Sequence, residues 1–270
     1  MTKNETVSHE TKNESSQNSL AGFKLGELEI SIEQMLKSGV HFGHKKSNWS
    51  PKMKPYIFTA KGNVSIIDLE KTAALLEKAV EFAKGVVGNG GKIIFVGTKP
   101  QAQQLIKEMA ELTEMPYVSN RWLGGTFTNF GEIKKRIKYL NEQEEKVVKG
   151  ELEKYTKYEQ LMFKKEIERM NEKMGGIKRM ENLPQAIFVA DAKENIAAIK
   201  EARRKKIPII GIIDTNVDPD LADYPIPGND DALSSLKYIV GIIAKAVKEV
   251  KAEAKSKAAA KKNEIKNNPK

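Results

Sequence analysis

Apolar residues occupy consecutive positions in three short blocks, IIFV at 93–96, AIFVA at 186–190 and PIIGII at 208–213. Unbroken blocks of this length suit parallel strands covered on both faces, because a half-exposed strand would alternate apolar with polar residues. Around them strand-like and helix-like segments alternate. The strand-like segments are YIFTA, VSIID, KIIFVG, YVS, QAIFVAD and KIPIIGIID. Helical spacing is predicted over roughly 69–86, from Pro100 onward, along NIAAIKEARRKK and over about 230–250. A shorter helix precedes them in SIEQMLKSG, with Ile32, Met35 and Leu36 on one face, Ser31 as its cap and Gly39 to end it in a left-handed conformation. This order predicts an α/β protein with a doubly wound, mainly parallel sheet of the Rossmann or flavodoxin-like kind.

One long segment breaks the alternation. Between residues 131 and 180 about half of the positions are charged, yet Ile133, Ile137, Leu140 and Val147, then Phe163, Ile167, Met170, Met174 and Ile177, keep steps close to three and four. Two narrow apolar seams on either side of Lys149-Gly150 predict an inserted antiparallel coiled-coil hairpin, which can be a solvated structural arm or a binding arm. The chain therefore divides into a disordered polar extension over 1–24, an α/β globular domain made of 25–130 and 181–250, the hairpin at 131–180, and a basic flexible tail over 251–270.

Composition narrows the function classes. The 270 residues include no cysteine, which removes disulfides, thiolate nucleophiles and cysteine-based zinc patterns. Net charge is +10, and nine lysines against three glutamates between Lys245 and Lys270 supply about +6 of it, so basic surface on the globular part must be local. The stretch MTKNETVSHETKNESSQNS has no apolar core of a secretory signal. Apolar runs such as YIVGIIA fall short of the roughly 20 residues that span a bilayer. The expectation is a cytoplasmic protein without a membrane partner.

Local basic surface is dense in GVHFGHKKSNWSPKMKPYIF, residues 39–58. Lys45, Lys46, Lys52 and Lys54 surround Trp49 in a segment made irregular by Pro51 and Pro55, a combination that offers phosphate partners beside a stacking ring. The plain alternative is a solvated loop with Trp49 on the core. NRWLGGTFTNFGEIKK has a similar character, with Arg121 and Trp122 after a strand and Gly124-Gly125 permitting close approach; its plain alternative is a structural corner with Trp122 buried. A metal set of His44, Asp191 and Asp214 is geometrically feasible, since both aspartates end strands whose carboxyl ends share one sheet edge. Against it stand aspartates that cap turns and a histidine that hydrogen-bonds locally.

GNGGK at 88–92 precedes its strand and fits neither phosphate-loop pattern. VGTKP at 96–100 follows a strand, so the free amides of a helix opened by Pro100 leave one enzyme alternative open, catalysis on a phosphorylated metabolite at the strand-end edge. No catalytic trio can be assembled.

Taken in order, HFGH, NWSPKMKPYIF, IIFVGTK, RWLGGTFTN, LPQAIFVAD, IIDTNVDPD and YPIPGNDD make the chain resemble the bacterial small-subunit ribosomal protein S two family over roughly residues 28–245. The resemblance implies a structural constituent of the small ribosomal subunit without catalytic activity or a required cofactor, supporting translation as part of a ribonucleoprotein. Its implied partners are small-subunit (16S) rRNA, other small-subunit ribosomal proteins, and ribosomal protein S one where that protein is present. The resemblance does not say which residues touch RNA; from the residues themselves the RNA-binding candidates are Lys45, Lys46, Trp49, Lys52, Lys54, Arg121 and Trp122, and the candidates for a structural metal, zinc or magnesium, are His44, Asp191 and Asp214.

Overall fold

A computed structural model describes residues 25–267. The polar extension assigned to residues 1–24 lies outside them. Five parallel strands form the main sheet: β4 (Ile93–Val96), β5 (Tyr117–Val118), β6 (Ala186–Val189), β7 (Ile209–Ile213) and β8 (Tyr224–Pro227), in the order β5-β4-β6-β7-β8. Counted along the chain this is the 2-1-3-4-5 order of flavodoxin-like sheets, whose direction reverses between β4 and β6. Consecutive apolar residues along each strand are shared between two cores. Ile93, Phe95, Phe188, Ile210 and Ile212 face α2 (Leu69–Gly88), α3 (Pro100–Thr113) and α7 (Leu233–Asn267). Ile94, Val96, Ile187, Val189, Ile209 and Ile213 face α6 (Ile196–Arg204) and the roots of the inserted helices.

Five elements depart from the sequence reading. YIFTA and VSIID do not join the parallel sheet. As β2 (Ile57–Lys61) and β3 (Val64–Ile67) they pair antiparallel, and β1 (Phe42–Lys45), inside the stretch read as irregular, completes a small sheet of order β1-β3-β2. The two-residue Gly62-Asn63 connection explains this, since it can close only a hairpin. YPIP was not expected to be a strand; β8 tolerates its prolines because it is the sheet edge, where a missing N–H breaks no ladder. The last helix, expected over about 230–250, continues to Asn267. The first helix, α1 (Ile32–Lys37), is followed by Gly39 in the left-handed region at φ +72°, as its sequence position suggests.

Between β5 and β6 two helices, α4 (Phe130–Val148) and α5 (Lys157–Met174), are inserted. Their spaced apolar residues are the covered ones: Ile133, Ile137, Leu140, Met174 and Ile177 are buried, and Val147, Phe163, Ile167 and Met170 are half-buried. The two are tied by Glu144, which accepts from Asn171 Nδ2 at 2.6 Å and Lys178 Nζ at 2.5 Å.

Candidate nucleic-acid interface and acidic cluster

The basic stretch is pinned to the carboxyl end of β7. Gly43 lies so close to the following loop that a Cβ would sit 2.5 Å from Thr215 Cγ2 and 3.1 Å from the Ser65 carbonyl, so any larger residue must displace Thr215 or the strand. The His44 amide donates to Thr215 Oγ1 at 2.8 Å, and the Ser50 amide to the Thr215 carbonyl at 2.6 Å. Met53 is fully buried in the α6-side core. What remains outward is basic: Lys45, Lys46, Lys52 and Lys54 are all exposed, with Trp49 half-buried among them.

The four lysines are not equivalent. Lys52 Nζ lies 2.8 Å from Asp218 and 2.6 Å from Asp220. Those hydrogen bonds raise its pKa, so its charge is already balanced by the DTNVDPD turn. Lys45, Lys46 and Lys54 have no carboxylate partner among the described residues. From Ser38 to Ile67 there are five lysines and no aspartate or glutamate.

In the second motif Arg121 is exposed, but Trp122 is core. Its ring meets Phe127 edge-on at 4.8 Å, and its indole N–H donates to Glu201 Oε1 at 3.2 Å. Trp122 therefore has no free ring face for a base, which corrects its assignment as an RNA contact. Glu201, on α6, also accepts from the amides of Gly125, Phe127 and Thr128 at 2.7, 2.9 and 3.1 Å and from the Thr128 hydroxyl at 3.1 Å. Burial alone would raise this carboxyl; the Thr128, Gly125 and Phe127 amides and the Trp122 N–H outweigh it and hold the pKa below its ordinary 4.5. The corner is thus built on a buried carboxylate that the sequence reading missed, because a glutamate within KEARRKK looks like any solvated helix residue.

The acidic cluster also differs in membership. His44 Nδ1 is 3.1 Å from Asp214, as expected, but His44 Nε2 is 3.3 Å from Asp231, and Asp230 completes a group whose ligand atoms all lie within 4.8 Å of one another. Asp191 is not among them. It stands at the switch point between β4 and β6, fully buried, where its Oδ2 accepts from the Thr98 and Lys99 amides, each at 2.9 Å, and its Oδ1 from Asn195 Nδ2. Its own carboxylate thus occupies the amides at the start of α3, where the enzyme alternative would seat a phosphate. Burial pushes Asp191 up to about 7 in spite of those amides.

Within the cluster Lys99 Nζ contacts Asp230 at 2.6 Å and Asp231 at 2.7 Å. The hydrogen bond that the His44 ring donates to Asp214 raises the His44 pKa against opposing burial. Burial and the Asp214 charge push Asp230 up to about 6, and its Oδ2 is buried without a hydrogen-bond partner. Three carboxyl groups thus gather around one ammonium and one imidazole.

The chain is thus a flavodoxin-like α/β protein whose switch-point amides are taken by Asp191 and whose sheet edge carries a lysine-rich loop. The family model of ribosomal protein S2 matches residues 35–250, so the chain belongs to that family, whose members are structural components of the small ribosomal subunit rather than enzymes. It is 48% identical over 220 residues to the small ribosomal subunit protein uS2 of Roseiflexus sp. (strain RS-1), covering 82% of this chain and 84% of that protein. Membership places the chain on the ribosome, in the cytoplasm. No described helix is long and apolar enough to cross a membrane.

Proposed function

We propose that this chain holds folded small-subunit (16S) rRNA against the carboxyl edge of its sheet, with Lys45, Lys46, Lys54 and Arg121 pairing with phosphates and the open part of Trp49 packing on the RNA. The observation that carries the reading is the set of unpaired lysines on a loop pinned to the sheet: the charge is free to release phosphate counterions while the backbone beneath it is fixed. Lys52, tied to Asp218 and Asp220, has a smaller part. Other small-subunit proteins, with ribosomal protein S one among them where it is present, are the second partner class. In this reading residues 131–180 act as a projecting antiparallel coiled-coil hairpin that fixes orientation through a separate contact, while 25–130 with 181–250 form the body and 251–270 a basic tail.

Substituting Lys45, Lys46 and Lys54 together by alanine is expected to lower the slope of log affinity against log salt by about 2–3 for small subunits depleted of this protein. Thermal stability stays unchanged, since all three are exposed. An unaltered slope contradicts the assignment of this loop.

The same reading gives the acidic cluster a structural metal held by His44, Asp214, Asp230 and Asp231. The lone Oδ2 of Asp230 and the gathering of one imidazole and three carboxyl groups within 4.8 Å support it. One imidazole with carboxylates favours zinc over magnesium, which prefers oxygen donors alone. The ion would tie the basic loop to the ends of β7 and β8. Titration calorimetry with zinc is expected to give one site per chain, lost in Asp230→Asn. At a hundredfold excess over Kd the ion adds about 2.7 kcal/mol of stability. No heat and no thermal shift would contradict the metal reading.

A further inference from the structure

The GNGGK turn at 88–92, which fits no phosphate-loop pattern, holds the single Asn-Gly pair of the chain, Asn89-Gly90. Such a pair carries its own chemistry. The Gly90 nitrogen can attack the carbonyl carbon of the Asn89 side chain, since glycine has no Cβ to hinder ring closure. The attack forms a C–N bond and breaks the bond to the side-chain nitrogen, which leaves as ammonia with the proton of the Gly90 amide. Water then opens the cyclic imide at either carbonyl, giving aspartate or isoaspartate. The sum is asparagine plus water going to acid plus ammonia, with nothing oxidised or reduced.

The fold holds the nucleophile back. Asn89 caps the C-terminus of α2 at φ −83° and ψ 11°, and Gly90 follows in the left-handed region at φ +77°. The Gly90 amide donates to the Val87 carbonyl and the Gly91 amide to the Val86 carbonyl, each at 2.9 Å, the two bonds of a Schellman turn. Both glycines are needed there: Gly90 for its positive φ, and Gly91 because a Cβ would sit 2.7 Å from the Val86 carbonyl oxygen. The turn therefore requires the residue that makes Asn89 reactive and, while closed, engages the N–H that must be removed for attack. Gly88, Asn89 and Gly90 are exposed, so water and base reach the pair whenever the turn opens.

We infer that Asn89 is a spontaneous modification site gated by this turn: it stays an amide in the folded protein and converts to aspartate and isoaspartate in chains whose α2 end is open. Conversion then works against refolding. A carboxylate at the C-terminus of α2 opposes the helix dipole, and isoaspartate adds one backbone atom to the short link into β4. That link is set at its far end, where the Lys92 backbone N–H donates to Gln185 Oε1 at 2.7 Å and the Gln185 backbone N–H to the Lys92 carbonyl at 2.9 Å. These bonds open the pairing of β4 with β6, the two strands at the middle of the switch point. A chain left unfolded thus accumulates a mark that hinders its return to the native sheet.

The test is peptide mapping by mass spectrometry of the full chain incubated at mildly alkaline pH, folded in buffer and unfolded in guanidinium chloride, with released ammonia assayed alongside. Conversion at Asn89 is expected to be slower in the folded chain by about tenfold or more, because both turn hydrogen bonds must open first. Gly91→Ala keeps the Asn-Gly pair but crowds the Val86 carbonyl, so it should raise the rate in a chain that circular dichroism shows to be folded. Chains converted while unfolded and then refolded should melt at a lower temperature than unconverted ones. Equal rates in the folded and unfolded chain, or no conversion at Asn89 in denaturant, overturn the inference. So does an unchanged rate in a folded Gly91→Ala chain; if that variant does not fold, the comparison within the parent chain decides.

Discussion

Glu201→Ala is expected to cost on the order of 4 kcal/mol of folding stability, measured by urea denaturation, because it strands several buried donors at once. The carboxylate accepts from three consecutive-region amides, an indole and a hydroxyl, and no other described acceptor serves the Trp122 N–H or the amides of Gly125, Phe127 and Thr128. Water can reach only part of the corner, since Trp122 and Phe127 are 7% and 0% exposed. The pH dependence has a definite sign. The folded pKa lies below 4.5, so the contribution of the ionised group is complete above that value and is lost as pH falls through the folded pKa. Glu201→Gln should therefore flatten the acid limb of the stability curve below pH 4.5. A loss under 1 kcal/mol in the alanine variant would show that the corner is held by its apolar packing alone.

The second large effect is expected at Gly43. Gly43→Val should cost about 3 kcal/mol, since β1 must retreat from Thr215 and from the Ser65 carbonyl to make room. Retreat also withdraws His44 from Asp214 and loosens the Ser50 bond to Thr215, so the basic loop loses its anchor. Subunit binding should fall together with stability, whereas lysine substitutions on the same loop lower binding alone. A stable Gly43→Val chain with normal binding would mean that the loop tolerates displacement and that its position carries no function.

How much of this was legible in the sequence depends on where each residue takes its partners. IIFV, AIFV and IIGII could be read as central strands because both faces of each are buried, and that leaves a mark on every position. YPIP could not, because an edge strand of four residues with two prolines carries no such mark. Missing β8 had a further cost. The argument that brought Asp191 and Asp214 to the carboxyl edge applies equally to Asp230 and Asp231, which follow β8, and without that strand the two could not be placed beside His44 and Asp214. Asp191 was on the right edge but at the switch point, where the amides at the start of α3 take its carboxylate. Glu201 left no local trace, since its donors lie more than seventy positions earlier in the chain. The lysines were legible as charge, but their inequivalence was not, because only the fold brings Lys52 to Asp218 and Asp220.

The central claim is that this chain is a component bound to the small ribosomal subunit through its basic surface. Sedimentation of a cell lysate through sucrose gradients at moderate and high salt, with the chain followed by mass spectrometry, tests it most directly. Co-migration with the small subunit at moderate salt, released as salt rises, is the result expected from counterion-driven binding. A peak confined to the free-protein fractions beside intact subunits would contradict it.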